Sequence, residues 1–511
     1  MLDPSALGPY AVRLERNVRI PMADGITLAA DRYVPEGRPG QRFPALIEYT
    51  PYHKNNNRVY GPRATRYPYF ASHGYVFVNV DIRGLGDSEG HNTSPSSPEE
   101  AADGQEVIRW CAAQPWCDGA VGMIGISYTA GVCWDAARRA PEALKAIVVC
   151  QMCSDWLEGV VCPGGSPRPF IWENYAPLMA AYNFAPPDPE LVGERWAETW
   201  QQRLDHSVPW SLAYLEHLRD GPFWEERLLR GDARKVRAAT FLIGGWCDYY
   251  PDDLLRVYSA LQCPKRVLIG PWTHNYPENA WPLPRVGDRL ECLRWFDRHL
   301  KGRDTDPQRP VDREPPVTLF VTEFTAPASL RPEDAGSFRG ETSWPPAARE
   351  VLFFLAPEGR LEPGHPDDPG RDELWITRRR SGRTGGERCG EELAWQATCP
   401  AGSPLRHQTP KIAAPRVLAT ECCRNACSYR RRGGVSRARL PVGLSSAALG
   451  PKLGAMITLL TGRYPTPPGV AARRCWRTCG ASDCAGPLSA AVCGTESKIR
   501  QRWSRTGCTR R

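Results

Sequence analysis

The chain has no long apolar run: nothing in its 511 residues approaches the roughly 18 apolar positions of a membrane span. The opening segment, MLDPSALGPYAVRLERNV, has no apolar core of the signal-peptide kind, so the expectation is a soluble, cytoplasmic protein without a membrane partner. Histidine is scarce, nine in all, and His407 is the only one after residue 380. The nine cysteines before that point (Cys111, Cys117, Cys133, Cys150, Cys153, Cys162, Cys247, Cys263 and Cys292) are scattered and make no metal-ligand spacing. They read as reduced thiols acting as small apolar side chains. No metal or organic cofactor is implied, and there are no internal repeats.

A uniform charge is also missing. The net +8 averages two different texts, because residues 381–511 hold 22 Lys and Arg against 6 Asp and Glu. The whole chain has 65 and 57, which leaves 43 against 51 for residues 1–380, an acidic segment followed by a strongly basic one. The same tail carries 10 of the 19 cysteines and clusters such as Arg430-Arg431-Arg432, with little alternation. A nucleic-acid arm is usually Lys-rich and poor in Cys and Trp, and the Cys475, Cys479 and Cys484 spacing lacks a paired knuckle. The favoured reading is a GC-rich gene translated in a shifted frame after about codon 380, which resequencing would test.

Before that break the text is regular. Residues 17–34 read as a hairpin around Ala23-Asp24-Gly25, and Phe43 to Tyr49 as a third strand ending at Thr50-Pro51-Tyr52-His53-Lys54. Tyr75 to Asp81 is a continuous apolar strand of the kind buried in parallel sheets. A helix over Glu99–Ala113, a strand Val121–Ile126, a helix Thr129–Arg139 and a strand Lys145–Cys150 continue a βαβαβ rhythm, hence an α/β fold. Residues 155–235 break the rhythm with a Pro-punctuated helical pattern containing Trp156, Trp172, Trp196, Trp200, Trp210 and Trp224. Such an insertion reads as a cap over the strands' C-terminal ends, its tryptophans mostly packing. Strands return at Thr240–Gly244 and Arg266–Gly270, followed by an amphipathic helix Asp288–Leu300 and a β-rich texture after Pro315. The expected organisation is a core over 1–154 and 237–310, a helical cap over 155–236, the start of a β-sandwich over 311–380, and the tail over 381–511.

The stretch Gly122-Met123-Ile124-Gly125-Ile126-Ser127-Tyr128-Thr129 joins strand to helix with almost no loop. Ser127 then projects from a sharp, strained turn, and Gly125 leaves room where strand and helix approach. The N-terminus of the following helix directs free N–H groups at any anion forming there. This is the nucleophile elbow pattern of an α/β-hydrolase; a serine that merely caps a helix is the competing reading. In such folds the serine, an acid and a histidine follow in chain order at strand ends. Gly244-Gly245-Trp246-Cys247-Asp248 follows one strand and Gly270-Pro271-Trp272-Thr273-His274 the next. His274 can take and return the Ser127 proton, and Asp248, in competition with Asp252 and Asp253, would hold the imidazole tautomer. Tyr52 follows the third strand, the loop from which these folds draw a second oxyanion donor beside the Tyr128 N–H. Asp81, Arg83 and Asp87 read as an ion-pair network that fixes a loop.

With those residues in place, the chain resembles the cocaine esterase-like hydrolases (CocE/NonD group), relatives of the Xaa-Pro dipeptidyl-peptidases. The resemblance rests on PMADGITLAADRYVP, TPYHK, GYVFVNVDIRGLGDSEG, GISY, GGWCDYY and IGPWTH, in order over about residues 15–325. It implies an α/β-hydrolase core with a helical cap and a jelly-roll β-domain, from which this chain departs after about residue 380. It also implies Ser127, Asp248 and His274 as triad and Tyr52 and Tyr128 as oxyanion donors. The expected function is cofactor-free hydrolysis of a small-molecule ester or amide through an acyl-enzyme, ester first. A proline-specific dipeptidyl-peptidase or an acylase of amino-acid esters or β-lactam side chains is the alternative; a homodimer is left open. The competing classes are a basic nucleic-acid-binding protein, whose binding would survive deletion of residues 1–380, and an inactive misfolded product.

Overall fold

In the computed structural model, residues 6–59, 63–324, 331–356, 360–362 and 437–442 are described. Ten strands share one sheet: β1 (Val12–Pro21), β2 (Thr27–Pro35), β3 (Phe43–Thr50), β4 (Val76–Asp81), β5 (Cys117–Ile126), β6 (Leu144–Cys150), β7 (Ala239–Gly245), β8 (Lys265–Gly270), β9 (Val317–Thr322) and β10 (Gly336–Glu341). Their spatial order is β1-β2-β4-β3-β5-β6-β7-β8-β9-β10. The β1–β2 hairpin joins β4 antiparallel, β4 to β9 run parallel, and β10 returns antiparallel on β9.

The central strands are buried on both faces, so they read as unbroken apolar runs. Within them the side chains still alternate. Ile47, Val78, Met123, Ile147, Leu242 and Val267 enter one core layer, while Leu46, Phe77, Ile124, Val148, Phe241 and Leu268 enter the other. The helices Pro98–Ala113 and Tyr128–Arg138 pack with the first layer and Asp288–Lys301 with the second. From β3 the chain winds outward to β4, and from β5 it winds the other way to β6 and β7. The C-terminal ends of β3 and β5 therefore flank the switch in strand order, where open α/β sheets bind ligands.

Between β6 and β7 no strand occurs; residues 156–235 form short helices, including π-helical turns at Leu157–Val161 and Ile171–Tyr175. One expectation needs correction. β9 and β10 lie in the main sheet, so the boundary expected at residue 311 does not begin a separate sandwich. Val317 and Leu319 pair with β8 and are buried, which makes β9 a further parallel strand of the core. The second, three-stranded sheet starts later, at β11 (Arg349–Ala356), with β12 (Arg360–Glu362) and β13 (Arg437–Val442) on its two sides. β13 lies within the stretch expected to be an anomalous tail; the rest of 381–511 is outside the described residues. Among the described residues no helix is long and apolar enough to cross a membrane.

Candidate active site

Ser127 ends β5 and precedes the helix Tyr128–Arg138 with φ 59° and ψ −131°, backbone angles that a residue with a side chain rarely adopts. Its side chain makes no capping bond to that helix, which removes the reading of Ser127 as an ordinary cap. The turn is held by short bonds. Ser127 N–H donates to the Cys150 carbonyl of β6 (3.0 Å), and Ile126 N–H donates to Thr129 Oγ1 (2.8 Å). A Cβ at Gly125 would sit 2.2 Å from the Thr129 carbonyl carbon, so only glycine lets the helix start this close to the strand.

The loops after β7 and β8 interlock beside it. Trp246 N–H donates to the Gly270 carbonyl and Cys247 N–H to the Trp272 carbonyl, while a Cβ on Gly245 would meet that Trp272 oxygen at 2.0 Å. This close contact turns the chain so that Asp248, buried, accepts from His274 Nδ1 at 2.8 Å. The competing Asp253 is engaged elsewhere, accepting from Ser154 N–H (2.6 Å) and Ser154 Oγ (3.1 Å). His274 is steadied through its neighbour: Gln151, at the end of β6 with φ 48°, donates from Nε2 to the Thr273 carbonyl (2.8 Å). Ser127 and His274 line one cavity, together with Tyr128, Met152, Trp156, Val160, Phe170, Ile171, Tyr175, Tyr249 and Tyr250.

Tyr52, from the loop after β3, meets Ser127 from the other side. Its hydroxyl is hydrogen-bonded to the Tyr175 hydroxyl at 3.3 Å and has Ser127 and the Tyr128 backbone N–H as polar neighbours. Burial pushes the Tyr52 phenol up, and these neighbours and the Arg63 guanidinium, 5.6 Å from the ring centroid, oppose that rise. The same loop is anchored from below. Lys54 is fully buried; its N–H donates to Asp81 Oδ1 (2.6 Å), and its ammonium pairs with Asp87 and lies 3.4 Å from Asp31. Burial would lower the Lys54 pKa, but the three carboxylates outweigh it and raise it. Burial pushes Asp81 up to about 7. His53 Nε2 lies 3.1 Å from the Tyr182 carbonyl, and burial pulls its pKa down to about 4, which keeps it neutral near pH 7.

All five residues expected at the site are thus gathered at the ends of β3, β5, β7 and β8. The ion-pair network is present with different partners: Arg83 pairs with Asp103 and Asp24, while Asp81 and Asp87 hold Lys54. Of the insertion's tryptophans, Trp156 lines the cavity, Trp210 and Trp224 are buried, and Trp196 stacks on Trp200. Sequence reasoning missed Tyr175, Phe170, Met152, Gln151, Tyr249 and Tyr250. The last two carried a signal, since they directly follow Asp248 on the same tight turn.

Comparison with known proteins now adds a relationship. Residues 24–276 match the family profile of the X-Pro dipeptidyl-peptidases (S15 family). Cocaine esterase of Rhodococcus sp. (strain MB1 Bresler) is 27% identical over 391 residues, covering 69% of this chain and 63% of the esterase. The Xaa-Pro dipeptidyl-peptidase of Lacticaseibacillus casei (strain BL23) is 26% identical over 269 residues, covering 46% of this chain and 31% of that enzyme. This chain therefore spans less than two thirds of either relative. A CocE/NonD family hydrolase structure from Staphylococcus aureus has the fold in common, with a TM-score of 0.53 at 20% identity over 69% of this chain and 60% of that one. These matches bear out the resemblance read from the motifs, to hydrolases of the serine esterase and X-Pro dipeptidyl-peptidase kind.

Proposed function

We propose that the chain is a serine hydrolase that cleaves carboxylic esters through an acyl-enzyme. The observation that carries this reading is the His274 Nδ1–Asp248 bond of 2.8 Å beside a serine held at positive φ in the same cavity. With Nδ1 engaged by Asp248, Nε2 is the nitrogen left to accept the Ser127 proton. Ser127 Oγ attacks the carbonyl carbon, and the Tyr52 hydroxyl and Tyr128 N–H stabilise the oxyanion. His274 then protonates the leaving alcohol. Water, deprotonated by His274, releases the acid and restores the serine.

Trp156, Val160, Phe170, Ile171 and Tyr175 come from the insertion between β6 and β7, which supports its role as a cap that forms the acyl pocket. Their aromatic and aliphatic character favours a small-molecule ester with an apolar acyl group. The dipeptidyl-peptidase and amino-acid acylase readings call instead for a carboxylate to hold a substrate ammonium. The strands β11 and β12, both before residue 380, are read as the beginning of the β-domain that follows the core. The cysteines described are all free, in keeping with a cytoplasmic protein.

The test is labelling of the purified full chain with a fluorophosphonate, followed by a panel of aromatic and aliphatic p-nitrophenyl esters and Xaa-Pro anilides. Labelling is expected in wild type and lost in both Ser127→Ala and His274→Ala, with turnover on the esters. Labelling that persists in Ser127→Ala would remove the proposed nucleophile. Turnover confined to the Xaa-Pro anilides would favour the peptidase.

A further inference from the structure

Tyr52 has one phenolic proton and several claims on it. If it donated to the Tyr175 hydroxyl, 3.3 Å away, it would have none for an oxyanion at Ser127. The bond must then run the other way, with Tyr175 as donor and Tyr52 oxygen as acceptor. The surroundings favour that direction. Burial pushes both phenols up, so both stay protonated, but their mutual bond raises Tyr175 further and lowers Tyr52. The Arg63 charge near the Tyr52 ring lowers Tyr52 as well. Tyr175 is itself well held: it is 7% exposed, ends the π-helical turn Ile171–Tyr175, and stacks on Phe170 at 6.2 Å between centroids.

We propose that Tyr175 is a positioning residue that donates its hydroxyl proton to Tyr52, turning the Tyr52 O–H toward the oxyanion and strengthening it as a donor. This rests on the oxyanion role given to Tyr52 above. A phenol that accepts one hydrogen bond becomes a better donor in the next, and the gain appears only when the acceptor is charged, in the transition state. The insertion between β6 and β7 would thereby contribute to the chemical step as well as to the pocket wall. No bond is made or broken at Tyr175, and its proton stays on its own oxygen.

The experiment is a double-mutant cycle in the full chain on an ester that the wild type turns over, with kcat and KM measured for Tyr52→Phe, Tyr175→Phe and the double variant. Tyr175→Phe is expected to lower kcat roughly three- to tenfold with KM little changed, because one second-step hydrogen bond is lost while the ring remains. In the Tyr52→Phe background the same substitution is expected to change kcat by less than about twofold, since no phenol is left to orient. An equal kcat loss in both backgrounds, a change confined to KM, or no change at all would overturn the proposal. A loss of folded protein would be shared by both backgrounds, so it could not imitate the expected coupling. If Tyr52→Phe alone leaves kcat unchanged, the oxyanion reading of Tyr52 itself falls, an outcome distinct from failure of the Tyr175 step.

Discussion

At the scale of single residues, strain and burial concentrate around the elbow. A non-glycine residue at the φ and ψ of Ser127 costs on the order of 1–3 kcal/mol, and the bonds from Cys150 and Thr129 hold it there. On the helix behind it, Asp135 is fully buried and accepts from the Leu228 N–H at 2.7 Å. Burial pushes its carboxyl up to about 7, against a smaller pull from Arg139. The folded protein therefore holds this proton more tightly than the unfolded chain does. The stability contribution is fully present below the unfolded carboxyl range near 4 and is lost as pH rises toward 7. Asp135→Asn keeps an acceptor for Leu228 without a titrating proton. Its melting temperature relative to wild type is expected to rise by on the order of 5 °C between pH 5 and pH 8, measured by calorimetry. A difference constant across that range would mean Asp135 is ionised at both pH values. Ser127, Asp248 and His274 were legible in the sequence because each directly follows a short apolar strand. Tyr175 was not, because its place at the site depends on how an aperiodic helical insertion folds back over the sheet.

At the scale of elements, the strands were more legible than the cavity wall. β3, β6, β7 and β8 fall within a residue of their expected bounds at either end, because a strand buried on both faces leaves a compact apolar run. The insertion gave only a helical texture. Its π-helical turns at Leu157–Val161 and Ile171–Tyr175 answer to no local period, yet they supply Val160, Ile171 and Tyr175 to the cavity. The ion pairs were read from nearness in sequence, so Arg83 was given Asp81 and Asp87, whereas the fold brings it Asp24 and Asp103. Where two elements meet most tightly, the prediction is sharp. Gly125→Ala inserts a methyl against the Thr129 carbonyl, backbone that cannot yield without moving the elbow helix. The expected cost is about 1–3 kcal/mol in urea unfolding, together with weaker fluorophosphonate labelling of what remains folded. Unchanged stability and labelling would show that strand and helix leave room for a methyl group at this crossing.

At the scale of the whole molecule, the sheet does not stop where the sequence texture changes. The shift after Pro315 toward short strands and turns suggested a new domain, but texture reports local structure and not which sheet a strand joins. β9 pairs in parallel with β8, burying Val317 against the core, and Trp246 Nε1–H donates to the Phe320 carbonyl at 2.6 Å. Through Trp246, two residues before Asp248, this strand braces the turn that presents the acid to His274. Residues 311–341 should then stand or fall with the hydrolase. Val317→Asp buries a carboxylate with no partner in the sheet, and it is expected to cost more than about 3 kcal/mol. Although the substitution lies far from Ser127 in sequence, fluorophosphonate labelling should be lost together with the main thermal transition. The opposite result, wild-type labelling and melting with a separate small transition removed, would mean that β9 and β10 fold apart from the catalytic sheet and that the boundary near residue 311 is real.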